Sequence, residues 1–202
     1  TPSKAPIIPK IKPSERKMAA EDDLGLIYGV QWRNFDSYPD KGIKGTDQLK
    51  KLVDTIKTDP TSRRMIVSAW NPNQLDQMAL PPCHVGYQVI CYPETNTMDL
   101  IWCQRSVDTM LGLPYNIASY ACLLHLLCLE TGYTPGKLIG MLGNVHIYEN
   151  HIEGAKLQMS RTPHKLPTIK TENFTSIFDW KYTDTTIENY EHDDAIKLEI
   201  AV

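Results

Sequence analysis

The run from Met110 to Leu129 is the least polar part of the chain, and it limits what the rest can be. Pro114, Asn116, Ser119 and His125 interrupt it, a combination that a lipid-spanning helix rarely tolerates, so its apolar surface has to be covered by protein. It reads as a turn at 111–114 followed by a buried central helix over 117–130. Met65 to Trp70, Val85 to Tyr92 and Met98 to Arg105 are rich in β-branched and aromatic residues and bounded by Asn, Pro and Gly, so they read as strands. Leu138 to Tyr148 reads as a fourth, despite Gly140 and Gly143.

From Thr46, taken as an N-cap, Leu49, Leu52, Val53 and Ile56 recur at helical spacing until Asp59-Pro60 stops them. Asn150 to Ser160 reads as another helix, with Ile152, Ala155, Leu157 and Met159 available for packing. The tail from Lys165 onward alternates short strand-like runs with turns. Helices and strands mix without a strict βαβ rhythm, so the fold class is α+β: a mixed, largely antiparallel sheet packed with a central buried helix. Residues 1–17, with four prolines among lysines and serines, read as an arm or linker ahead of one domain over 18–202.

A chain of 202 residues that is 42% hydrophobic can build such a core. The formal net charge of -3 supplies no global basic field, which argues against nucleic acid as a partner. Five cysteines, an odd number with no C-x-x-C pair, point to reduced thiols, a cytoplasmic setting and no metal site. Neither a signal peptide nor a membrane span is expected. No G-x-G-x-x-G or Walker loop is present. Residue 1 is Thr rather than Met, which fits a processed chain or a piece of a longer one.

Several residues carry chemical potential alongside an ordinary explanation. Cys83 follows two prolines that stiffen its approach and precedes His84; a thiol held in one orientation near cations can act as a nucleophile, yet free cysteines are most often structural. Arg63-Arg64 and Arg105 suit bidentate phosphate binding, while adjacent arginines commonly mark a solvated turn. Asn116 can donate and accept, as base reading requires, or cap the apolar helix. His146 and Tyr148, two apart on an expected strand, share a face as a ligand-binding or core pair.

The motifs in order are Asp23-Leu24-Gly25, Tyr28-Gly29-Val30-Gln31-Trp32-Arg33, Asp59-Pro60-Thr61-Ser62-Arg63-Arg64 and Ser68-Ala69-Trp70-Asn71. They continue with Met78-Ala79-Leu80-Pro81-Pro82-Cys83-His84, Gln104-Arg105-Ser106-Val107-Asp108, Leu111-Gly112-Leu113-Pro114-Tyr115-Asn116-Ile117-Ala118-Ser119-Tyr120 and His146-Ile147-Tyr148. Together they closely resemble the thymidylate synthase family.

The resemblance implies that Cys83 attacks carbon 6 of a pyrimidine nucleotide, and that carbon 5 then takes a one-carbon unit from 5,10-methylenetetrahydrofolate. It places Tyr28, His84 and Gln104 near the reacting cysteine and nucleotide. Arg105 would bind phosphate and favour the thiolate, and Ser106 would add a phosphate hydrogen bond. Arg63 and Arg64 would be donated across a homodimer interface to the partner's phosphate. Asn116 stands where an amide suits uracil and an Asp would suit cytosine, so dUMP is the expected substrate; His146 and Tyr148 would hold the deoxyribose. Asp108 would serve nucleotide and folate, with Leu111, Gly112 and Ala201 on the folate side and no metal involved. Leu142 stands where a glycine is common.

The family carries, ahead of the Asp-Leu-Gly motif, an arginine, a helix glutamate and a tryptophan pair whose positions fall at Ser14 and Lys17. The expectation is reductive methylation of dUMP to dTMP, with reduced turnover by these residues alone. The alternatives are a hydroxymethylase making 5-hydroxymethyl-dUMP and a non-catalytic nucleotide-binding or dimerisation fragment.

Overall fold

A computed structural model describes residues 24–38 and 41–200, so the arm at 1–17 and Ala201 lie outside the described residues. Helix α1 (Gly29–Asn34) and helix α2 (Gln48–Thr58) precede strand β1 (Ile66–Ser68). The spacing that predicts α2 also buries Leu49, Leu52, Val53 and Ile56 on one stripe. Its N-cap is Asp47 rather than Thr46: the carboxylate accepts from Lys50 N at 2.9 Å and also pairs with Arg33, a role that a threonine hydroxyl could not combine.

Strands β2 (His84–Tyr92), β3 (Thr97–Asp108) and β4 (Thr134–His146) complete a sheet of order β1-β2-β3-β4. β1 to β3 are antiparallel, whereas β3 and β4 run parallel and are joined by helix α3 (Leu113–Thr131), since a parallel pair needs a crossover. Val67, Tyr87, Val89, Leu100 and Trp102 form the buried face of this sheet. Tyr120, Leu124, Leu127 and Cys128 of α3 and the apolar stripe of α2 close the same core. Gly140, opposite Trp102 in the register, leaves room for the indole: a Cβ there would lie 2.6 Å from the ring.

Several boundaries differ from expectation. β3 runs on past Arg105 to Asp108, and β4 starts at Thr134 rather than Leu138, because the two ladder onto each other from Thr97↔Thr134 to Asp108↔His146. Pro135 is tolerated because β4 is an edge strand among the described residues. α3 begins at Leu113, since Pro114 falls in the first turn, where its missing N–H costs nothing. The expected helix from Asn150 is a 3-10 turn (Glu149–His151) followed by helix α4 (Ile152–Ser160). Its intended packing residues do not pack: Ile152 is 44%, Leu157 50% and Met159 85% exposed, and the residue that goes inside is His151. The tail contributes a hairpin of strands β5 (Thr168–Thr171) and β6 (Thr185–Glu188). Among the described residues no helix is long and apolar enough to cross a membrane.

Candidate active site

Two strand registers and the start of α3 bring the motif residues to one end of the sheet. The antiparallel pair His84↔Gln104 sets Cys83 beside Arg105, whose backbone N–H donates to Cys83 O at 2.9 Å. The parallel pair Asp108↔His146 puts the carboxyl ends of β3 and β4 together, and Thr109 pins them by donating through both N–H and Oγ1 to His146 O. α3 starts at this same end. Asp108 Oδ1 accepts from Met110 N and Leu111 N at 3.0 and 3.1 Å, shaping the turn into the helix and leaving its other oxygen free of described partners.

Cys83 is half-buried and held by its backbone from three directions. Its N–H donates to Tyr28 Oη at 3.0 Å, its carbonyl accepts from Arg105 N, and Arg105 donates through Nε to Pro82 O at 2.9 Å and through Nη2 to Pro81 O at 3.0 Å. The guanidinium thus clamps the proline lead-in rather than the sulfur, and its Nη1 has no described partner. Tyr28 reaches this place from the head of α1 at a positive φ of 38° with ψ -96°, which costs a non-glycine residue about 1–3 kcal/mol. Buried amides hold α1 there: Gln31 Nε2 donates to Leu26 O and to Gln74 Oε1, each at 2.8 Å. Burial pushes the Tyr28 phenol above its ordinary range.

His84 stacks on Tyr120, which stacks in turn on Trp102, and His84 Nδ1 lies 3.1 Å from Tyr120 Oη. Burial lowers the affinity of His84 for a proton, so the ring is neutral near pH 7; a hydrogen bond with Asn116 works weakly the other way. Tyr28, His84, Asn116, Trp32, Tyr120 and Trp180 line a largely apolar cleft of about 590 Å³.

Asn116 is no cap. Trp102 Nε1, which can only donate, lies 3.2 Å from Gln104 Oε1 and fixes that amide; Gln104 Nε2 then donates to Ser106 O and to Asn116 Oδ1, each at 3.0 Å. The Asn116 amide is oriented by the same chain, with Nδ2 left as a donor. Sequence reasoning missed Trp102, Tyr120 and Trp32. Trp32 and Tyr120 stand inside motif runs without a role of their own, and Trp102 signals only by sharing a strand face with Gln104, which reads equally well as core.

Residues 14–202 match the family described as thymidylate synthase. The chain belongs to that family. A thymidylate synthase of Mycoplasma pneumoniae is 46% identical over 180 residues, covering 89% of this chain and 59% of the relative. Bifunctional dihydrofolate reductase-thymidylate synthases of Plasmodium chabaudi and Leishmania major are each 44% identical, over 186 and 189 residues, covering 89% and 90% of this chain and 32% and 36% of their own length. The chain therefore spans less than two thirds of these thymidylate synthase relatives.

Of the nominated residues of this thymidylate synthase family chain, Tyr28, His84 and Asn116 line the cleft, whereas Cys83, Gln104, Arg105, Ser106, Asp108, Gly112 and His146 do not. Leu111 lies on a second cavity of about 780 Å³ between the start of α3, the 161–167 loop and residues 190–198. Tyr148 falls beyond β4, at the head of the 3-10 turn, yet its ring meets His146 edge-on at 5.1 Å. Arg63 and Arg64 are exposed on a turn, line neither cavity, and have no side-chain hydrogen bond or ion pair with a described residue. Among the described residues no group of three His, Cys, Asp or Glu could hold a metal ion.

Proposed function

We propose that the protein carrying this chain methylates carbon 5 of dUMP with methylenetetrahydrofolate, forming dTMP and dihydrofolate, with Cys83 as covalent nucleophile. The observation that carries the reading is the chain Trp102 to Gln104 to Asn116, which leaves Asn116 Nδ2 as an oriented donor. A donor suits the carbonyl at position 4 of uracil and opposes the amino group of cytosine.

The Cys83 thiolate adds to carbon 6, and the electron pair of the carbon 5–carbon 6 double bond moves to give an enolate with its charge on the 4-oxygen. Oriented N–H donors stabilise such developing charge. Carbon 5 bonds to the folate methylene; loss of the carbon 5 proton then expels the folate nitrogen and leaves an exocyclic methylene. Hydride from tetrahydrofolate reduces it to methyl as the carbon–sulfur bond breaks and the thiolate returns. Covalent addition thereby divides a difficult substitution into easier steps. In this reading Arg105 Nη1 and Ser106 meet the phosphate, His146 and Tyr148 the deoxyribose, and Asp108, Leu111, Gly112 and Ala201 the folate.

The proposal includes a two-fold homodimer in which Arg63 and Arg64 serve the partner's phosphate. The open face of the sheet supports it: Ile66, Gln88, Ile101 and Ile139 lie across it in register, with Met141 60% exposed. The test is to incubate the intact protein with dUMP and methylenetetrahydrofolate and identify the products. dTMP with stoichiometric dihydrofolate is expected; 5-hydroxymethyl-dUMP without dihydrofolate makes the enzyme a hydroxymethylase, and no turnover by the intact protein leaves a binding role.

A further inference from the structure

Trp102 is buried and lies outside the cleft, yet three contacts fix its indole in place and in direction. Its ring stacks on Tyr120, with centroids 5.3 Å apart and planes 12° from parallel. Its far edge fills the space that Gly140 leaves open on β4: a Cβ at that position would stand 2.6 Å from both Cη2 and Cζ2. Its Nε1 meets Gln104 Oε1 at 3.2 Å. An indole nitrogen can only donate, so it tells the two ends of the buried Gln104 amide apart, which packing around two atoms of nearly equal size cannot do.

Ser106 O makes the same choice from the other side, because a carbonyl can only accept. With both partners in place, turning the Gln104 amide over would set Nε2 against the indole N–H and Oε1 against the carbonyl. The Asn116 amide follows Gln104, since its Oδ1 accepts from Gln104 Nε2. We propose that Trp102 is a specificity-determining positioning residue and that Gly140 is the opening that admits it: together they hold Asn116 Nδ2 as the donor that selects a carbonyl over an amino group at position 4 of the pyrimidine. This role rests on the functional reading given above, and it assigns the discrimination to a side chain that does not line the cleft. Without the indole N–H, Gln104 Oε1 is left buried with no donor, and Ser106 O alone opposes the turned pair. In that pair Asn116 Oδ1 faces the base and accepts from the amino group of cytosine.

The experiment is titration calorimetry of the intact protein with dUMP and with dCMP, read as the ratio of the two Kd values, which a general loss of stability leaves unmoved. The wild type should prefer dUMP. Trp102→Phe keeps an aromatic ring against Tyr120 but has no N–H, and it should lower the preference about tenfold, the worth of one net hydrogen bond. Gly140→Ala, whose methyl group meets the indole, should lower the preference in the wild type and change it no further in Trp102→Phe. If Trp102→Phe does not fold, replacing the indole by benzothiophene, which keeps the ring shape and lacks only the N–H, carries the same expectation. An unchanged preference in the folded variant without the N–H overturns the role of Trp102. Gly140→Ala that leaves the wild-type preference intact, or lowers it equally in both backgrounds, overturns the pairing with Gly140. A wild type that binds neither nucleotide, or both alike, overturns the functional reading and this role with it, whereas a selective wild type whose variants stay as selective overturns the role alone.

Discussion

Tyr28 stores backbone strain so that its hydroxyl can receive the Cys83 N–H, and the sulfur is thereby aimed without being touched. Tyr28→Phe in the intact enzyme should lower kcat/KM for dUMP about tenfold, the loss of one buried hydrogen bond at the transition state. Steady-state kinetics check this, and an unchanged value would remove Tyr28 from the positioning of Cys83. His84 and His125 make a second prediction, because burial lowers the proton affinity of both rings below the ordinary value of 6.5. Unfolding lets each ring regain its ordinary affinity, so the unfolded state binds more protons as pH falls through that value. Their contribution to stability is therefore complete above about pH 6.5 and is lost progressively below it. Urea unfolding at about pH 7.5 and pH 5.5 should show the drop, and replacing His125 by Asn should shrink it; a stability that is flat over this range argues against the neutral rings.

At the scale of elements, α3 and α4 are opposites. α3 places Leu127 wholly inside, between the sheet and α2, so Leu127→Ala should cost roughly 2–5 kcal/mol by loss of transfer energy and creation of a cavity. Met159 on α4 is 85% exposed, and Met159→Ser should change stability by less than about 0.5 kcal/mol. Chemical denaturation of both variants checks the pair; comparable losses would mean that α4 packs as its apolar residues first suggest. The two helices also show why sequence read one better than the other. The stripe of α2 and the apolar run of α3 are local patterns, and each led to a correctly identified element. Ile152, Leu157 and Met159 form an equally apolar set, but whether such residues are covered depends on what lies opposite them, and in α4 that place is taken by Gly154 and the Ile196–Leu198 segment packed on it.

For the whole molecule, the arginines decide how a site is completed. If Arg63 and Arg64 act across a two-fold interface, mixing an inactive Cys83→Ala protein with an inactive Arg63→Ala/Arg64→Ala protein should restore roughly a quarter of wild-type activity, since half the dimers are mixed and each has one intact site. No recovery after subunit exchange would assign both arginines to their own chain or to no site. The sequence by itself determined the α+β class, the helices α2 and α3 and the strands of the four-stranded sheet, because hydrophobic period is written in neighbouring positions, whereas the short α1 carries no such pattern and was not anticipated. Only the tertiary structure decided which way the donors point and which residues share a place. Tyr28 lies 55 residues from the Cys83 N–H it receives, and His151 lies 48 residues from Glu199, whose carbonyl its Nε2 meets at 2.7 Å. The direction of the Asn116 amide is set by an indole N–H two strand positions from Gln104. A hydrogen bond depends on the burial and orientation of both partners, and folding alone brings those partners together.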